Sequence, residues 1–177
     1  MKRSIITFAV ICFALAGSAF AADTATQTVI MNIADICVLD VTSASITLEI
    51  VAPGTGGATP ADDTDNSSYA QYTSVVGGVT TRNLTAAWGA LDAAPAGCSL
   101  KLEVTSLTAG CGSAVSGGVT ISSSAQNIVT SIGTCATGTG ATDGALLAYT
   151  LSVDTATSLD ASDDQSATIT LTLTDAS

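Results

Sequence analysis

The sequence predicts an all-β protein, an immunoglobulin-like sandwich of two sheets, on the strength of three observations. Apolar and polar residues alternate along several short runs, which is the two-residue period of a half-buried strand. Glycine clusters separate these runs and supply the positive backbone angles that tight turns need. Helical periodicity is hard to find, whereas Thr and Val, which favour strands, are abundant. Many short strands with regular turn signals are typical of a two-layer β architecture.

The clearest predicted strand lies near the C-terminus, where four apolar residues alternate with four threonines. The apolar residues are Ala167, Ile169, Leu171 and Leu173. The same alternation predicts strands over residues 45–51 and 98–104 and along the stripe Leu147, Tyr149, Leu151 and Val153. Weaker candidates cover residues 68–76, 81–89, 118–123 and 127–132.

The first 21 residues predict export. Lys2 and Arg3 precede an apolar run over residues 5–15, and Ala19-Phe20-Ala21 fits the small-x-small rule of a secretory cleavage site. The run is too short to cross a hydrocarbon core of about 30 Å, and no second run of spanning length follows, so we expect no transmembrane segment. We expect a signal peptide over residues 1–21, an extended N-terminal strand over 22–35 and a sandwich domain over 36–177. The protein would then be periplasmic, extracellular or part of a cell-surface fibre.

The charge of the chain excludes nucleic acid as a partner. Only Arg82 and Lys101 remain as basic residues after residue 21, against 15 acidic residues, which gives 2 − 15 = −13. Phosphate binding needs clustered Lys and Arg, which this chain lacks. The acidic residues are spread along the chain, which favours solubility and repulsion between copies.

Four cysteines remain after residue 21, and an even number in an exported chain predicts two disulfides. They are Cys37, Cys98, Cys111 and Cys135. Zinc binding and redox catalysis are disfavoured, because the chain has no CxxC spacing and no His. Cys37 and Cys98 alternate with core residues and the other two lie in Gly-rich turns, so we expect the pairs Cys37–Cys98 across the sheets and Cys111–Cys135 between two loops.

We expect no enzymatic activity and no cofactor. The absence of His removes the usual base that activates a Ser or Cys nucleophile. The acidic run with Asp62, Asp63 and Asp65 is a weak candidate for calcium, which needs six to eight oxygen ligands. The run lacks the Gly and Glu of a twelve-residue calcium loop, so a solvated Asp-rich turn is the alternative interpretation.

The segment over residues 24–33 is the most informative part of the sequence. Val29, Met31 and Ile33 fall on one face of an extended stretch close to the mature N-terminus. Such a strand can complete the sheet of a neighbouring copy, with main-chain hydrogen bonds for affinity and alternate side chains in pockets. The alternative is an ordinary first strand of the chain's own sandwich.

The two ends of the chain resemble those of archaic chaperone–usher pilins, the spore-coat-U type domain. The resemblance rests on the signal peptide, the extended strand before Ile36-Cys37-Val38, and the alternating end from Asp164 to Thr174. It implies a subunit that lacks one strand, which a periplasmic chaperone lends and the N-terminal segment of the next subunit replaces at an outer-membrane usher.

We therefore expect a structural subunit of an extracellular fibre, pilus or surface assembly that self-associates by donating its N-terminal strand. The alternative function is that of a monomeric secreted or periplasmic β-sandwich that binds a ligand.

Overall fold

The structure is a computed structural model that describes residues 24–78, 80–161 and 165–176. The predicted signal peptide lies outside the described residues. The chain divides into two units, Met1–Asn32 and Ile33–Ser177. In the first unit, residues 24–32 form neither helix nor strand and are exposed. The second unit holds all the strands described below.

The second unit is all-β, with ten strands in its described part. They are β1 (Ile36–Val41), β2 (Asp63–Val75), β3 (Arg82–Trp88), β4 (Cys98–Leu107), β5 (Ser113–Ala114), β6 (Val119–Thr120), β7 (Gln126–Ile132), β8 (Cys135–Ala136), β9 (Ala145–Val153) and β10 (Ile169–Asp175). One turn of 3-10 helix, Ala156–Ser158, separates β9 from β10. The described residues include no helix that is long and apolar enough to cross a membrane.

The strands form two sheets, one of which curls into a half-barrel. In the first sheet the order is β1-β2-β9-β4-β6, and β8 pairs with the end of β2 beyond β9. In the second sheet the order is β10-β3-β7-β5. All the pairs are antiparallel. β1 and β10 are therefore the terminal strands of their sheets.

The two sheets share one aliphatic core. Its largest fully buried side chains come from both sheets and the loops between them: Leu84, Leu102, Ile121, Ile128, Val129, Ile132 and Leu147. Tyr72 and Tyr149 are the aromatic residues of this core. Since each aliphatic side chain contributes about 1.5–3 kcal/mol on full burial, the alternating strands supply the main stabilising term.

The structure confirms the all-β prediction and most of the strands. The C-terminal alternation is β10, the Leu147 stripe is β9, and the predicted strand over 98–104 extends to Leu107 as β4. The prediction of a strand over residues 45–51 is wrong, because these residues belong to no sheet. Their alternation is nevertheless real, since Ile46, Leu48 and Ile50 are half-buried and the residues between them are exposed.

Candidate functional site: a groove between two sheet edges

An open groove with a volume of about 1250 Å³ runs between the terminal strands of the two sheets. One flank is the end of β1 and the segment that follows it, residues 43–52. The opposite flank is β10 with the residues just before it, 165–168. The groove therefore lies where the edge of one sheet faces the edge of the other.

Aliphatic and aromatic side chains line part of the groove, and polar residues line the rest. Ile46, Leu48 and Ile50 line one flank, and Ile169 and Leu171 line the other. Tyr149 and Leu151 of β9 reach the groove from the first sheet. The flanking side chains are only half-buried, although those of Ile46, Leu48, Ile169 and Leu171 pack against the core. The core is thus incompletely covered along this line.

Both flanks carry a backbone edge that no strand of the described chain covers. β10 pairs with β3 on one side and ends the sheet on the other. Across the groove, residues 45–51 belong to no strand and join no ladder. Of this segment, the Glu49 amide donates to Asp63 Oδ2 at 2.8 Å. Open edges of this kind are ready templates for an added strand.

The N-terminal segment, residues 24–33, carries a concentration of exposed apolar side chains. Val29 is 66% exposed, Met31 86% and Ile33 87%, and Ile30 between them is 80% exposed. Exposed apolar side chains scattered singly are ordinary, whereas a contiguous group of them is typical of interaction surfaces. The segment therefore presents four exposed apolar side chains within five residues.

The groove ends where β1 and β10 come into contact. The Cys37 thiol donates to the Leu173 carbonyl oxygen at 3.6 Å. Cys37 and Leu173 are each two residues along their strand from the groove residues Leu39 and Leu171. Next to this contact the guanidinium of Arg82 lies buried, with 4% of its residue surface exposed. The two edges are therefore in contact at this end of the groove.

Arg82 binds three strands at once through its side-chain N–H groups. Its Nε donates to Asp175 Oδ1 at 3.1 Å, and its Nη2 donates to Asp35 Oδ1. Its Nη1 donates to the Ile36 carbonyl oxygen at 2.7 Å. The same Nη1 reaches Ser74 Oγ at 3.0 Å and the Val75 carbonyl oxygen at 3.4 Å. The hydrogen bond to Asp35 is the main reason why the pKa of Arg82 is raised.

The structure does not confirm the predicted disulfides. Cys37, Cys98, Cys111 and Cys135 are free thiols, and no pair among the described residues is at disulfide distance. Cys111 is buried and its side chain interacts with that of Cys135. Burial, followed by the hydrogen bond to Cys111, raises the pKa of Cys135 to about 12. Cys135 lies in the short strand β8, whereas the sequence placed it in a turn.

The predicted pair Cys37–Cys98 is incompatible with the strand register. Cys37 is aligned with Ser74 near the end of β2. Cys98 is aligned with Val153, whose amide donates to Asp62 just before β2 begins. The length of β2 separates them, on the order of 35 Å at about 3.3 Å per residue. A disulfide needs Cα atoms within about 7 Å, so these two thiols cannot join within one chain.

The acidic run belongs to a strand and not to a loop, because β2 begins at Asp63. Its carboxylates accept hydrogen bonds from backbone amides: Asp62 from Val153, Asp63 from Glu49 and Thr64, and Asp65 from Ser67. No group of three or more His, Cys, Asp or Glu residues that could hold a metal ion occurs in the described ranges. The carboxylates that were considered for calcium therefore fix local backbone geometry in this structure.

No protein-family model matches the chain, and no curated protein or solved structure is significantly similar to it. The function of the chain is therefore inferred from the geometry of the groove and of the N-terminal segment.

Sequence reasoning found the N-terminal stripe but missed the groove and the role of Arg82. The position of the groove depends on which strands lie at the edges of the two sheets. The alternation of apolar and polar residues within a strand does not predict the order of the strands in a sheet. A weak signal for Arg82 was available. It is one of only two basic residues beyond residue 21, and it stands at the start of a predicted strand.

Proposed function

We propose that this protein is a structural subunit of an extracellular fibre, pilus or surface assembly, and that copies join by strand donation. The N-terminal segment of one copy would add to the free edge of β10 in the next copy and fill its groove. One observation carries the proposal: a single chain combines a groove that holds a row of aliphatic side chains beside the free edge of β10 with an exposed apolar segment of alternating sequence.

The dimensions of the segment and the groove agree. A seven-residue strand such as β10 is about 23 Å long at about 3.3 Å per residue. Residues 24–33 reach about 33 Å when extended, so the segment can cover the whole edge of β10. Burial of three aliphatic side chains at about 1.5–3 kcal/mol each would offset the cost of ordering the segment, and a new backbone ladder would add to it.

The proposal also includes the compartment, the fold type and the partners of the protein. Export by the predicted signal peptide would place the chain where a chaperone can lend a temporary strand and an usher can organise polymer growth. An immunoglobulin-like sandwich that lacks one strand fits this role, because an added strand would pair with β10 at the terminal edge of the second sheet. The proposed role is structural and non-enzymatic, which agrees with a chain that contains no His.

Substitutions in the N-terminal segment test the proposal. Met31→Asp places a carboxylate on the stripe that would enter the groove, and burial of an unpaired carboxylate costs several kcal/mol. We expect this variant to remain monomeric by size-exclusion chromatography while the parent protein forms polymers. Asn32→Asp is the matched control, since it adds the same charge at the next position, which points to the opposite face of a strand.

A peptide of residues 22–34 provides a second test on a domain that begins at residue 34. We expect the peptide to bind this domain and, in excess, to cap the growing polymers of the full mature chain. A parent protein that stays monomeric at high concentration and ignores the peptide would contradict strand donation. The monomeric binding module would then be the better description, with the groove as its ligand site.

A further inference from the structure

We propose that Arg82, held by Asp35 and Asp175, is a positioning residue for strand exchange. It closes one end of the groove and fixes the point at which the N-terminal segment leaves the domain. This inference rests on the proposed function, because it assigns a specific role to residues outside the groove itself. We call these three residues the Arg82 cluster.

The strand topology leaves a gap that Arg82 bridges. β1 ends the first sheet and β10 ends the second, so no backbone ladder joins them. Arg82 spans this gap, because its Nη1 donates to Ile36 of β1 and its Nε donates to Asp175 of β10. The backbone aligns Arg82 with Asp175 in the second sheet, so the guanidinium reaches across from β3 to the first sheet.

The closed end of the groove lies beside the Arg82 cluster. The groove is lined by Leu39 and Leu171 but not by Cys37 and Leu173, which contact each other. The Arg82 cluster lies just beyond this contact and keeps the two edges together. A strand that enters from the open end therefore meets a fixed stop, and a fixed stop selects one register among those that an alternating strand allows. A slip by one residue would turn the stripe away from the core.

The donor segment is anchored by the same cluster. Asp35 follows the N-terminal segment after a single residue, Ala34. Its carboxylate accepts from the Arg82 Nη2, although 65% of the Asp35 side-chain surface is exposed. The charge-assisted hydrogen bond thus holds the base of the segment at the end of β10. Arg82 thereby fixes two positions in each copy. One is the point from which the donor segment extends, and the other is the end of the groove that stops the accepted strand.

The test compares two carboxylates, one in the Arg82 cluster and one outside both the cluster and the groove. Asp35→Asn removes the charge that faces Arg82, and Asp65→Asn is the control. Asp65 lies near the start of β2, away from Arg82, and its Oδ1 accepts from the Ser67 amide. In the domain that begins at residue 34, we expect Asp35→Asn to weaken binding of the 22–34 peptide at least about five-fold, the scale of one hydrogen bond. We expect Asp65→Asn to stay within about two-fold of the parent, as for an ordinary surface change.

Hydrogen exchange distinguishes a local effect of these substitutions from a loss of global stability. In Asp35→Asn we expect faster exchange confined to the start of β1 and the end of β10, with unchanged exchange in β4 and β9. Asp175→Asn should give the same local pattern, so the result does not depend on one variant. Arg82→Lys retains the charge but not the planar guanidinium, so it should preserve neither the contact with Asp35 nor the contact with Asp175 in full.

The outcomes separate this inference from the proposed function. If the parent domain fails to bind the peptide, strand donation is contradicted, and the positioning role is contradicted with it. If the parent binds and Asp35→Asn binds equally well, with no local change in exchange, only the positioning role is contradicted. Weaker peptide binding together with the local change in exchange supports the role of the Arg82 cluster.

Discussion

The hydroxyl of Tyr72 donates a 2.5 Å hydrogen bond to the carbonyl oxygen of Cys111. Tyr72 lies on the inner face of β2, and Cys111 lies in the turn between β4 and β5. The two residues are 3% and 2% exposed, so water cannot replace this bond. The contact ties a loop with little regular structure to β2, an inner strand of the first sheet.

We predict that Tyr72→Phe lowers the free energy of unfolding by about 1–2 kcal/mol, because it leaves a buried carbonyl oxygen without its donor. Urea unfolding followed by Trp88 fluorescence measures this change. Tyr69→Phe is the control, since Tyr69 is half-buried on the opposite face of the same strand. Equal effects of the two substitutions would contradict a special role for the Tyr72 hydroxyl.

The neighbouring thiols give a second prediction. Under oxidising conditions we expect a Cys111–Cys135 disulfide, since the two side chains already interact. It should stabilise the domain by roughly 3 kcal/mol, the value typical of a loop of this size. In the isolated domain Cys37 and Cys98 should remain thiols. Alkylation followed by non-reducing peptide mapping measures the connectivity, and a Cys37–Cys98 peptide would show that the strand register is wrong.

Alkaline pH gives the third prediction. Burial raises the pKa of Tyr149 to about 12 and also raises that of Tyr72, from an ordinary value of 10.0. The pKa of Cys135 rises from 9.0 to about 12. Each group favours its neutral form in the folded state, so its contribution is complete below its ordinary pKa and is lost as pH rises toward the folded value.

Stability should therefore fall between about pH 9 and pH 12, together with the appearance of tyrosinate absorbance. Urea midpoints at several pH values measure this fall. Tyr149→Phe should flatten the upper part of the curve, because it removes one of the buried groups that must ionise on unfolding. A midpoint that stays constant from pH 9 to pH 12 would contradict the burial of these side chains.

Chelation gives the fourth prediction. Asp62, Asp63 and Asp65 accept backbone hydrogen bonds, so removal of divalent cations should move the melting temperature by less than about 2 °C, because an ion that is not bound adds no linkage term. Differential scanning calorimetry with and without chelator tests this expectation. A decrease of more than about 10 °C would reveal a bound ion held far above its dissociation constant.

Local alternation predicted the strands well, and the reason is physical. In β10 the apolar residues Ile169, Leu171 and Leu173 are half-buried and the threonines between them are exposed. A pattern of period two reports that one face of an extended chain is covered. It does not report whether the edge has a partner, which is why residues 45–51 show the pattern of a strand without belonging to a sheet.

The pattern of residues within each strand did not predict which strands pair with each other. The expected pair Cys37–Cys98 assumed that two inward-pointing thiols meet, but their distance depends on which strands are neighbours and in what register. Both lie near β2, one close to each of its ends. The acidic run was placed in a loop for a similar reason. The sequence does not show that its aspartates bind nearby amides at the start of a strand.

The burial of Arg82 has a consequence for proteolysis. Beyond residue 21, the sequence offers trypsin only two bonds to cut, after Arg82 and after Lys101. Arg82 is buried at the start of β3, and Lys101 lies inside β4, between β9 and β6. A protease needs an extended, unpaired stretch of chain, so neither bond is cleavable until its strand leaves the sheet. The rate at which trypsin digests the folded protein therefore reports the opening of these two strands.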